Sequence, residues 1–74
     1  MIDSIQWKTT CCAWHGDYAE HRANDGGILR IKRGPSVVGY LVMHFDASGQ
    51  CKTVDDNGVP EYETLTEEQL ISLL

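Results

Sequence analysis

Seventy-four residues, 42% hydrophobic and 23% charged, suffice for one small core and are too few for two domains. Eleven acidic against six basic residues leave a net charge of −5, which sets the chain as a whole against nucleic-acid phosphate and anionic lipid. The longest apolar stretch, Val37 to Met43, contains a glycine and has the length of a buried strand, which excludes a membrane-spanning helix.

The start, Met1-Ile2-Asp3-Ser4, lacks the basic and apolar segments of a secretory signal, so the expected location is the cytoplasm. Three cysteines cannot all pair within one chain, and Cys11 and Cys12 are neighbours. That pattern is no disulfide framework and fits a reducing compartment.

Clusters of turn-forming residues divide the chain at short intervals: His15-Gly16-Asp17, Asn24-Asp25-Gly26-Gly27, Gly34-Pro35-Ser36, Asp46-Ala47-Ser48-Gly49 and Asp55-Asp56-Asn57-Gly58. The segments between them are rich in β-branched and aromatic residues, which predicts strands over about 5–14, 18–22, 28–33, 37–45 and 50–54. Short links between successive strands favour a mainly β, α+β fold: an antiparallel meander of four to five strands in sequential order, forming a single domain over 1–74. In the third strand, Leu29 and Ile31 alternate with Arg30 and Lys32, the pattern of one dry and one wet face. The fourth strand is apolar on both sides, with Val37, Leu41, Met43 and Phe45 opposite Val38, Tyr40, Val42 and His44. Both of its faces are therefore expected to be covered, which in so small a protein takes either a helix over the second face or a second chain, and the sequence offers a helix.

The helix is predicted over about 66–73 and packs on the sheet. Thr66 and Gln69 have the spacing of a capping box, Glu67 and Glu68 fall where the helix dipole favours negative charge, and Leu65 and Leu70 have the spacing of a hydrophobic staple. So short a helix holds in water only when it docks.

Zinc-ligating residue types occur at Cys11, Cys12, His15, His21 and Cys51, but neighbouring cysteines on a strand project to opposite faces, unlike a zinc knuckle. A zinc or redox module built on Cys11, Cys12, His15 and Cys51 is therefore the alternative reading, and no cofactor is expected. A cysteine nucleophile with a histidine base has the residue types and no surrounding signature, so no catalytic residue is assigned. Gly26-Gly27 lacks the lysine of a phosphate loop, and Asp55-Asp56-Asn57-Gly58 lacks the distal acidic ligand of a calcium loop. Arg30, Lys32 and Arg33, joined by Lys8 and Arg22, form a basic row with Tyr18 and Tyr40 as stacking platforms; direct nucleic-acid binding is set aside for the charge of the whole chain.

Charge is divided unevenly. Residues 1–52 hold five acids and six bases, whereas residues 53–74 hold six acids and no base. The expected function is a small non-enzymatic protein-binding domain, an inhibitor or adaptor that occupies a surface of a larger partner. Its contact residues are Asp55, Asp56, Glu61, Tyr62, Glu63, Glu67 and Glu68, with Trp14 as an aromatic anchor. A compact acidic chain of this kind is what phages and mobile elements use, by nucleic-acid mimicry, against host nucleic-acid machinery such as nucleases and CRISPR effectors, an argument by analogy. A third reading is a homodimerising accessory domain that buries the final leucines and an open strand edge.

Overall fold

A computed structural model describes residues 5–9, 16–34 and 38–74. Five antiparallel strands lie side by side in chain order: β1 (Lys8–Thr9), β2 (Asp17–Arg22), β3 (Ile28–Arg33), β4 (Tyr40–Phe45) and β5 (Glu63–Leu65). The helix α1 (Glu67–Ile71) follows β5 directly and packs on β4 and β5. The mainly β meander with one short C-terminal helix is the architecture that the turn spacing predicts.

Pairing register fixes the two faces. Ala19, Ile31 and Val42 lie in one cross-strand row and His21, Leu29 and His44 in the next, all on the face toward α1. Leu29, Ile31 and Leu70 are fully buried and Val42 nearly so, with Ile5, Ala19 and Ala23 completing the core. Burying each of the larger side chains stabilises the fold by about 1.5–3 kcal/mol.

The helix begins as the sequence specifies. Thr66 Oγ1 accepts from the Gln69 backbone N–H at 3.2 Å, and Gln69 Oε1 accepts from the Thr66 N–H at 2.9 Å. Its far end is secured from another part of the chain: the Asn24 backbone N–H donates to the Leu73 carbonyl at 2.8 Å, and Asn24 Nδ2 donates to the Ser72 carbonyl at 2.7 Å. The β2–β3 turn thereby satisfies carbonyls that the end of a helix leaves free. Leu65, Leu73 and Leu74 are partly buried against the core beside Leu70.

Two features differ from the sequence reading. The segment 50–54 is not a fifth strand; it makes only isolated bridges, Cys51 to Phe45 and Val54 to Pro60. After the Lys52 N–H donates to the His44 carbonyl at 2.7 Å, Thr53 turns inward and its Oγ1 accepts from the His44 N–H at 3.2 Å. A side-chain oxygen thus takes the donor that a continuing strand would pair through its carbonyl, and the chain leaves the sheet. It returns ten residues after Thr53 as β5, which pairs with the first half of β4 through Tyr40–Leu65, Leu41–Thr64 and Val42–Glu63.

The second difference concerns β4, whose two faces are unequally covered. Val42 and His44 are buried toward α1, while Leu41, Met43 and Phe45 are half-buried on the opposite face, over which no described element is layered. One helix of five residues, joined directly to an edge strand, reaches one side of the sheet only. Of the expected first strand, Lys8–Thr9 is paired, and residues 10–14 lie outside the described residues; the fourth strand starts at Tyr40, after Gly39 with φ of +88°.

Candidate functional site

The face of the sheet turned away from α1 carries an unusual share of the positive charge. By strand alternation it presents Lys8 from β1, Tyr18, Glu20 and Arg22 from β2, Ile28, Arg30 and Lys32 from β3, and the row Leu41, Met43 and Phe45 from β4. Four of the six basic residues of the chain therefore share one face with a single strand carboxylate, Glu20. The Arg30–Glu20 pair is long, at 3.9 Å, and exposed, so it neutralises little.

Cations and rings on this face are stacked. The Arg30 guanidinium sits 5.3 Å from the centre of the Phe45 ring, and the Lys32 ammonium 4.7 Å from that of Tyr62. Their apolar stems lie along the half-buried β4 row while their charged ends stay in water. Tyr18 and Ile28 remain 39% and 38% exposed, which leaves aromatic and aliphatic surface between the cations.

The remaining two bases are matched by carboxylates elsewhere. Arg33, next to Lys32 and so on the opposite face, lies 3.2 Å from Asp17 Oδ2 and 4.0 Å from the centre of the Trp7 ring. Trp7 in turn stacks on Tyr40 at 6.0 Å and 20°. Arg33 and Tyr40 thus do not belong to the basic row in which sequence reasoning placed them, because odd and even positions of a strand face opposite ways. Lys52 Nζ lies 3.3 Å from Asp25 Oδ2, the same oxygen that accepts from His44 Nε2 at 3.0 Å. Asp25 Oδ1 accepts from the Gly27 N–H at 2.8 Å, and that bond, helped by Lys52 and His44 against partial desolvation, holds the carboxyl below its ordinary 3.8.

The acidic residues singled out from the sequence gather at the other side of the sheet. Glu63 is on the edge strand β5, Glu67 and Glu68 open α1, and Asp55, Asp56 and Glu61 lie in the excursion between β4 and β5. None of the six makes an ion pair among the described residues. Asp55 also serves its own loop, where its Oδ1 accepts from the N–H groups of Asn57 at 2.8 Å and Val59 at 2.9 Å and holds the turn closed. Tyr62, read as an anchor within the acidic set, instead stacks under Lys32 and belongs to the basic face.

Of the metal-ligand candidates, Cys11, Cys12 and His15 lie outside the described residues, as does the anchor Trp14. His21 Nδ1 is 2.7 Å from the Arg22 carbonyl, and Cys51 Sγ donates to the Thr53 carbonyl at 3.2 Å. Among the described residues, no group of three or more His, Cys, Asp or Glu side chains is placed to hold a metal ion.

Alternation in β3 was a sufficient signal for Arg30 and Lys32. The apolar row of β4 was visible too, but its exposure depends on which face α1 covers. No protein family, curated protein or solved structure matches this chain.

Proposed function

We propose that this chain is a small non-enzymatic protein-binding domain, an inhibitor or adaptor that occupies a surface of a larger partner through the open face of its sheet. The observation that carries this reading is the half-buried row Leu41, Met43 and Phe45, flanked by exposed Tyr18 and Ile28, with no described layer above it. A sheet with apolar residues on both faces gains by covering both.

The test is affinity capture from a lysate of the source organism with the full chain and with Ile28→Asp, both shown to be folded by their melting curves. A protein retained by the first and lost by the second supports the reading; equal retention by both overturns it.

A second reading rests on the acidic rim formed by Asp56, Glu61, Glu63, Glu67 and Glu68, all exposed. A rim of this charge suits the cationic groove of a nuclease or another nucleic-acid-binding complex, the mimicry used by phage and mobile-element inhibitors, anti-CRISPR proteins included. Charge reversal at Asp56 and Glu61 that left partner binding and its salt dependence unchanged would exclude it.

A further inference from the structure

We propose that the open face binds an acidic polypeptide segment whose carboxylates alternate with aliphatic or aromatic side chains. This inference rests on the protein-binding reading above and adds the chemistry of the partner.

Charge selects the sign of the partner. Lys8, Arg22, Arg30 and Lys32 stand against Glu20 and Asp46 on this face, while Arg33 and Lys52 are matched by Asp17 and Asp25 elsewhere. The positive charge that the molecule does not neutralise itself is thus concentrated on the one face that its helix leaves open. A second copy meeting this face by two-fold symmetry would set four cations against four. The acidic rim of a second copy would meet it only head to tail, in a contact that leaves the next rim and face free to continue a chain.

Two observations distinguish a polypeptide from a nucleic acid. Single strands bind by stacking successive bases on open ring faces, yet Arg30 and Lys32 already lie over Phe45 and Tyr62, which leaves Tyr18 as the one exposed ring among the described residues of this face. The net charge of −5 also repels an extended polyanion, which continues past the cationic face toward the rim of Glu63, Glu67 and Glu68. A short peptide places its few carboxylates on the cations and stops.

The relief of the face matches alternating side chains. Arg30 stands between two shallow depressions. One, of about 200 Å³, is lined by Tyr18, Glu20, Lys32 and Tyr62, and the other, of about 300 Å³, by Glu20, Ile28, Phe45 and Asp46. Each admits one or two apolar side chains while a carboxylate between them reaches Arg30, the division of labour seen when an extended peptide lies on a sheet. Asp46, kept ionised by the bonds its Oδ1 accepts from Ser48 and the Gln50 N–H, reserves the second depression for an apolar side chain and leaves the carboxylate to Arg30. Stacking over Phe45 and Tyr62 holds the two central cations in place before the partner arrives, which lowers the entropy lost on binding.

The experiment is selection of a displayed random-peptide library on the immobilised full chain, followed by affinity measurement of the enriched peptides on the full chain and on three variants. The variants are Arg30→Glu with Lys32→Glu, the milder Arg30→Gln with Lys32→Gln in case the first does not fold, and Ile28→Asp. Enriched peptides are expected to carry Asp or Glu alternating with Leu, Ile or Phe. Their affinity is expected to fall about tenfold or more in the charge-reversed variant and to weaken as salt is raised. Neutral or basic enriched peptides, or peptides indifferent to both double variants, overturn the acidic partner. If those peptides are still lost on Ile28→Asp, the protein-binding face stands; if they are indifferent to it as well, both readings fall. A single-stranded oligothymidylate that binds more tightly than the enriched peptides overturns the polypeptide in favour of nucleic acid.

Discussion

His44 Nε2 and Asp25 Oδ2 lie 3.0 Å apart, joining the end of β4 to the turn between β2 and β3 across the buried face of the sheet. His44 is 8% exposed, and the carboxylate also accepts from Gly27 and meets Lys52, so one aspartate ties together three segments. The same turn holds the end of α1 through Asn24. This turn is therefore the junction at which hairpin, sheet and helix are fastened.

Asp25 is predicted to control the acid limb of stability. Its folded pKa is lowered, so its contribution is present above the unfolded value near 3.8 and is lost as pH falls through the folded one. Asp46, lowered by Ser48 and Gln50, acts in the same window. Melting temperatures of Asp25→Asn are expected to lie below those of the natural chain at neutral pH, and to converge with them as pH falls below about 4. Parallel curves over that range would show that the aspartate is not differentially protonated on folding.

Thr53 is predicted to be the residue that turns the chain out of the sheet. Thr53→Val keeps the shape and removes the acceptor of the buried His44 N–H, at a cost of about 1–3 kcal/mol in denaturant unfolding. Thr53→Ser keeps the oxygen and is expected to lose less than half as much. A loss in Thr53→Val no larger than that in Thr53→Ser would show that the hydroxyl acceptor is not what holds the turn.

Truncations in α1 should separate capping from docking. Leu70→Ala is expected to cost about 2–5 kcal/mol, because Leu70 is fully buried. Thr66→Ala removes one half of the capping box, for about 1 kcal/mol. Ile71→Ala, at a position 38% exposed, is expected to stay within about 0.5 kcal/mol of the natural chain. Chemical denaturation of the three in parallel checks the order.

Gly27 is required by close approach of backbone. A Cβ there would lie 1.9 Å from the Phe45 carbonyl oxygen, so the β3–β4 pairing must open to admit it. Gly27→Ala is expected to lose about 3 kcal/mol or more. Gly49→Ala meets open space and only the strain of φ near +90°, about 1–2 kcal/mol. Thermal melts that reversed this order would contradict the packing at Gly27.

What was legible in the sequence is what nearest neighbours decide. Alternation separated Leu29 and Ile31 from Arg30 and Lys32, turn residues placed β2 and β3 within a residue, and the Thr66–Gln69 capping box marked the helix start. The acidity of residues 53–74 was equally plain, since it is a matter of counting.

The tertiary structure decided everything that depends on partners distant in the chain. Residues 50–54 read as a strand by composition, but Thr53 bonds the His44 N–H through its side chain and ends the pairing. Tyr62 follows an acidic run and yet stacks under Lys32, thirty residues earlier. Whether Leu41, Met43 and Phe45 were core or surface rested on which face α1 would take. β5 joins that helix directly and Asn24 fastens its end, so α1 reaches one side of the sheet only, and the basic, apolar face is left open.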